Sequence, residues 1–168
     1  MGLFKRRNDG GPSSSEPDPL PTKGSGFSQS DLDAANHLMT RFGDIRGNGS
    51  DQDLADVLEK FGVLGGGILA VGWNRPWLWW TELAEEAHDI GDHGLAFKIF
   101  WFAVDYTENI GPRLPTSYAL GMGYGLMEEA AYKALASVGI GALKVMQAER
   151  PDIDFSPEIA SAQRILAT

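Results

Sequence analysis

The chain has 168 residues, 43% of them hydrophobic and 22% charged, which fits one domain of ordinary soluble composition and excludes collagen-like or wholly disordered chains. It contains no cysteine, so a disulfide framework, a Cys-ligated zinc or iron–sulfur centre and a thiol nucleophile are excluded. With 14 basic against 23 acidic residues the net charge is −9, which argues against nucleic acid as a partner, because phosphate contacts need clustered Lys and Arg.

Residues 1–27 are unlike the rest. Thirteen of them are Gly, Pro or Ser, and few are large and apolar, so the segment cannot offset its ordering entropy and is expected to be a disordered tail. Basic residues Lys5, Arg6 and Arg7 are not followed by an apolar stretch, so the start does not read as a signal peptide. A cytoplasmic location is expected. Residues 28–168 read as a single all-α domain.

From Ser28 or Ser30 a helix is predicted to about Gly43, with Leu32, Ala35, Leu38 and Met39 at helical spacing. Gly47-Asn48-Gly49 breaks it. Ser50, with Asp53 three residues on, has the form of a capping box for a second helix carrying Leu54, Val57, Leu58 and Phe61 on one face. The apolar run from Phe61 to Trp73 is 13 residues long, short of the roughly 20 that a spanning helix needs. Asn74-Arg75-Pro76 starts the next helix, in which Trp80, Leu83, Ala84 and Ala87 fall at i, i+3, i+4 and i+7. Gly91-Asp92 ends it. A further helix from His93 to about Asn109 is apolar on two faces, Ala96/Ile99/Phe100/Ala103 and Phe97/Trp101/Val104, so it is expected to be packed on both sides.

Gly111-Pro112-Arg113-Leu114-Pro115 is a rigid break, after which Thr116 caps a helix to about Ser137. Gly139 and Gly141 are expected to interrupt the segment that follows, up to Arg150. Pro157 opens a terminal helix to Ala167. No alternating β-branched runs are present, so strand content should be very low. The fold expected is all-α, five to seven helices in antiparallel hairpins, either repeat-like or an irregular bundle.

The run from Trp80 to Ala103 resembles a tetratricopeptide repeat, a helix–turn–helix unit of about 34 residues. Trp80 and Leu83 match its opening, Ala84 its small residue, Gly91 its turn, and Ala96, Phe100 and Ala103 its second helix. Pro112 is late for the closing proline, and Leu120-Gly121-x2-Tyr124 matches only the first half of a following copy. The resemblance implies that the first helix lines a groove that grips a peptide. The groove positions it implies are Leu78, Thr81, Glu85, His88 and Asp89, an acidic strip that favours a basic segment. All five tryptophans lie between Trp73 and Trp101. Neighbours Trp79 and Trp80 point about 100° apart on a helix, so they cannot share one core face, and Trp77 and Trp79 join the expected partner-contact set.

Chemistry-bearing patterns are sparse. Glu85-x2-His88 has the spacing that places a carboxylate and an imidazole on one helix face, as in di-metal bundles. Asp92 and His93 lie nearby, but the second Glu-x-x-His is missing. Gly121-x-Gly123-x-Gly125 lacks the preceding strand of a dinucleotide fingerprint, and no Ser occupies a nucleophile elbow. The function expected is a protein-interaction module (adaptor, chaperone or assembly subunit) with a protein partner, no cofactor and a possible second copy of itself. The alternatives are a metal-dependent enzyme centred on Glu85 and His88, with Asp92 and His93, and a peripheral membrane protein using residues 61–80.

Overall fold

A computed structural model describes residues 27–65, 75–110 and 129–168, apart from the side chains of residues 75 and 76. The expected tail before residue 27, most of the 61–73 apolar run, the break at residues 111–115 and the glycines at 121, 123 and 125 lie outside them. The described residues form six α-helices and no strand, an all-α fold.

Helix α1 (Gln29–Ile45) starts at a full capping box. The Ser28 hydroxyl accepts from the Asp31 N–H, and the Ser28 N–H donates to the Asp31 carboxylate at 2.9 Å. Helix α2 (Asp51–Leu64) repeats the device with Ser50 and Asp53, as its sequence predicts. The apolar stripes of α1 and α2 face each other.

Helix α3 (Arg75–Asp89) turns into α4 (His93–Asp105) over three residues. The Asp92 N–H donates to the Ala87 carbonyl at 2.7 Å and the Gly91 N–H to the His88 carbonyl at 3.1 Å, the bond pair of a Schellman stop. Gly91 sits at φ +94°, where a side chain would be strained. The Asp92 carboxylate then caps α4 by accepting from the Leu95 N–H at 3.2 Å. Ala84, Ala87, Ala96 and Ala103 are fully buried, and their small size lets α3 and α4 approach closely.

Helix α4 is the hub. It packs on α1, α3 and the long α5 (Glu129–Glu149). Its last turn widens into a π-turn, Tyr106–Ile110, rather than continuing as an α-helix to Asn109. Buried Asp105 stands at the junction, accepting from the Asn109 amide at 2.6 Å and pairing with Arg46 Nε at 3.1 Å, which ties the end of α1 to the end of α4. Helix α6 (Ser156–Ala167), with Pro157 in its first turn, folds back on α5.

Gly139 and Gly141 do not interrupt α5, contrary to the sequence expectation. They are points of close approach instead. A Cβ at Gly139 would lie 2.5 Å from Phe100 Cγ of α4, and one at Gly141 would lie 3.0 Å from His88 Nε2 of α3. Packing against two other helices outweighs the weak helix propensity of glycine.

The core is rich in rings. Phe61 stacks on Trp80 with centroids 4.9 Å apart, and lies 4.7 Å from Trp77 and 4.9 Å from Phe102. Phe42 meets Phe102 edge-on at 4.7 Å, and Tyr106 meets Trp77 at 5.1 Å. One aromatic cluster therefore joins α1 to α4, with each pair adding about 0.5–1.5 kcal/mol beyond area burial.

Candidate functional site

Helix α3 carries the residues singled out from the sequence, and its two faces divide them. At about 100° per residue, Trp77, Trp80, Ala84, Ala87 and His88 lie on the inward side. Trp77 and Trp80 are fully buried. Trp80 Nε1 donates to the Phe61 carbonyl at 3.0 Å, while Trp77 Nε1 is buried with no hydrogen-bond partner. Thr81 is buried too, its hydroxyl returning to the Trp77 carbonyl at 2.7 Å. The expected groove set is thereby corrected: Trp77 and Thr81 are core residues, because their positions turn toward α2 and α4.

The outward side keeps Leu78, Glu82, Glu85 and Asp89, which fall within about 60° of one another at that helical spacing. Leu78 is 53% exposed, and Glu82 and Asp89 are also exposed. Glu85 and Glu86 are half-buried beside them. Ile90, 55% exposed, closes the strip at the turn. From Leu78 to Asp89 the strip runs roughly 17 Å along the helix. None of the ion pairs among the described residues involves Glu82, Glu86 or Asp89. Glu82 lies in this strip, and the repeat-like pattern missed it although its i+4 spacing from Leu78 was readable.

Trp79 is half-buried. It meets Trp80 edge-on at 5.2 Å and the Phe27 ring at 5.4 Å, so Phe27 belongs to the folded domain rather than to the tail.

Among the described residues no group of three His, Asp or Glu side chains gathers to hold a metal ion. The Asp92 carboxylate is spent on the α4 cap. His88 and His93 bond to each other, Nδ1 to Nδ1 at 2.9 Å, with their rings 4.9 Å apart. Among the described residues no helix is long and apolar enough to cross a membrane.

A second polar group lies where α5 meets the π-turn and α6. The Tyr132 hydroxyl is buried without a hydrogen bond of good geometry. Burial, with the Glu108 charge added, pushes it up to about 12 against the smaller opposing effects of the Thr107 hydroxyl and Arg164. Tyr106, buried in the aromatic cluster, is also pushed up to about 12 by desolvation. No family model, curated protein or solved structure matches this chain.

Proposed function

We propose that the chain is a protein-interaction module whose contact surface is the outward strip of α3. Carboxylates Glu82, Glu85, Glu86 and Asp89 would meet a basic segment, with Leu78 and Ile90 as apolar contacts at its two ends. The observation that carries this reading is the gathering of acid on one outward helix face, where Glu82, Glu86 and Asp89 take part in none of the ion pairs among the described residues, held by a buried opposite face. Opposite charge speeds encounter and suppresses wrong partners, and the apolar ends supply burial. The tetratricopeptide resemblance supports it, since its first helix is the one that grips peptide.

The test is comparative capture from the native host with the tagged chain. The Glu82→Lys/Asp89→Lys variant should lose its partner by about tenfold or more, a change of roughly 1.4 kcal/mol. The Asp44→Lys/Glu59→Lys variant, which makes the same charge change at exposed sites on α1 and α2, should retain it. Equal capture by both variants overturns the proposal.

A further inference from the structure

The close contact of His88 and His93 has a consequence for proton occupancy. The Schellman stop at Gly91 and the cap at Asp92 fix the two rings across a turn, Nδ1 facing Nδ1 at 2.9 Å. An imidazole nitrogen either carries a proton or accepts one. At this distance one Nδ1 must donate and the other accept. One ring is then the Nδ1–H tautomer and its partner the Nε2–H tautomer. A first added proton goes to the free Nε2 of the donor ring and leaves the contact intact, now charge-assisted. A second must go to the accepting Nδ1, which places two N–H groups and two positive charges face to face. The contact cannot survive that state.

We propose that the His88–His93 pair is an acid-released latch holding the α3–α4 turn closed. Its surroundings favour release in one place. A Cβ at Gly141 would stand 3.0 Å from His88 Nε2, so α5 closes off the His88 ring on that side, and half-buried His93, at the start of α4, is the ring that leaves. The charged groups around the pair are Glu85 one turn back and Asp89 next in α3, and Asp92 in the turn, its carboxylate on the Leu95 N–H. In α4, Lys98 is occupied with Asn36 and Thr40 of α1. In α5, the charged residue nearest in sequence to Gly141 is the exposed Lys144.

Ring nitrogen NMR on the full chain reads the latch directly. At about pH 7.5, where free imidazole is mostly neutral, one of the two rings should be the Nδ1–H tautomer, with exposed His37 as the internal reference. Two Nε2–H tautomers would overturn the proposal. The second readout is urea stability against pH for the wild type and for His93→Asn. The Asn amide places either a donor or an acceptor where Nδ1 stood, so it can bond to charged or neutral His88. Between about pH 6 and 5 the wild-type folding constant should fall up to tenfold more than that of the variant, the limit for one excess proton bound by the unfolded chain. Identical pH profiles overturn the latch. If His93→Asn does not fold, the tautomer measurement on the wild type decides.

Discussion

The substitution Gly139→Ala opposes two effects whose sizes are known. Alanine is favoured over glycine in a helix interior by about 1 kcal/mol. Against this, the new methyl would stand 2.5 Å from Phe100 Cγ and Cδ2 and 3.0 Å from its Cβ. Relaxed carbon–carbon contact is about 3.5–4.0 Å, so α5 must retreat by roughly 1 Å or the ring must turn. Phe100 is fully buried and has no free volume to turn into. Overpacking of this kind costs about 1–3 kcal/mol, so the net effect should be a loss of about 1–2 kcal/mol. Gly43→Ala is the matched control. It lies in α1, exposed, with nothing within 4 Å of the added carbon, and should gain up to about 1 kcal/mol. In urea unfolding followed by circular dichroism, with a slope of about 2 kcal/mol per molar, the first midpoint should fall by about 0.5–1 M and the second rise by up to about 0.5 M. Phe100→Leu in the Gly139→Ala background should recover part of the loss, giving a coupling of about 0.5–3 kcal/mol. A Gly139→Ala midpoint at or above that of the wild type would refute the close-approach reasoning.

Three further outcomes follow from the same packing. Gly91→Ala forces a side chain into φ +94° and should destabilise by about 1 kcal/mol in the same assay, because the stop it terminates has no other residue able to adopt that conformation. Arg46→Ala leaves the buried Asp105 carboxylate with the Asn109 amide alone and should lose about 1–3 kcal/mol, while Arg46→Ala/Asp105→Asn should recover part of it. Tyr106 and Tyr132 hold their protons to about 12 in the folded chain, whereas the unfolded chain releases them near 10. Stability is therefore full below about pH 10 and falls as pH rises toward 12, by up to tenfold in the folding constant per pH unit for each tyrosine. Phenolate absorbance should show two of the four tyrosines ionising only as the circular dichroism signal is lost; their ionisation in the folded chain would contradict their burial.

Much of the fold is legible in the sequence because it depends on local chemistry. Ser28, Ser50 and Pro157 mark helix starts, and Gly91-Asp92 marks a stop, through chemistry that reaches only a few residues. The small residues Ala84 and Ala96 announce the close crossing of α3 and α4 for the same reason. The glycines of α5 are the opposite case. Their role depends on Phe100 and His88, which lie some forty to fifty positions away in the chain, and helix propensity alone points to a break there. The π-turn is also set at a distance, where Asp105 joins Arg46 of α1 to Asn109. The site divides in the same way. The acidic run on α3 can be read directly, but the rotation of the helix decides which residues reach solvent. That rotation is set by where Trp77 and Trp80 meet Phe61, and it moves Trp77 and Thr81 indoors while adding Glu82. Partnership of His88 with His93 depends on the turn geometry, which residue spacing along one helix cannot reveal.

The most direct test of the proposed contact surface is site-specific photo-crosslinking in the native host. A photoreactive residue is placed at Leu78 or at Asp89 on α3, and at exposed Gln163 on α6 as the comparison. Both α3 positions should give a discrete protein adduct, and Gln163 none. Adducts from Gln163 with none from Leu78 or Asp89, or no adduct from any position, would contradict the proposed contact surface.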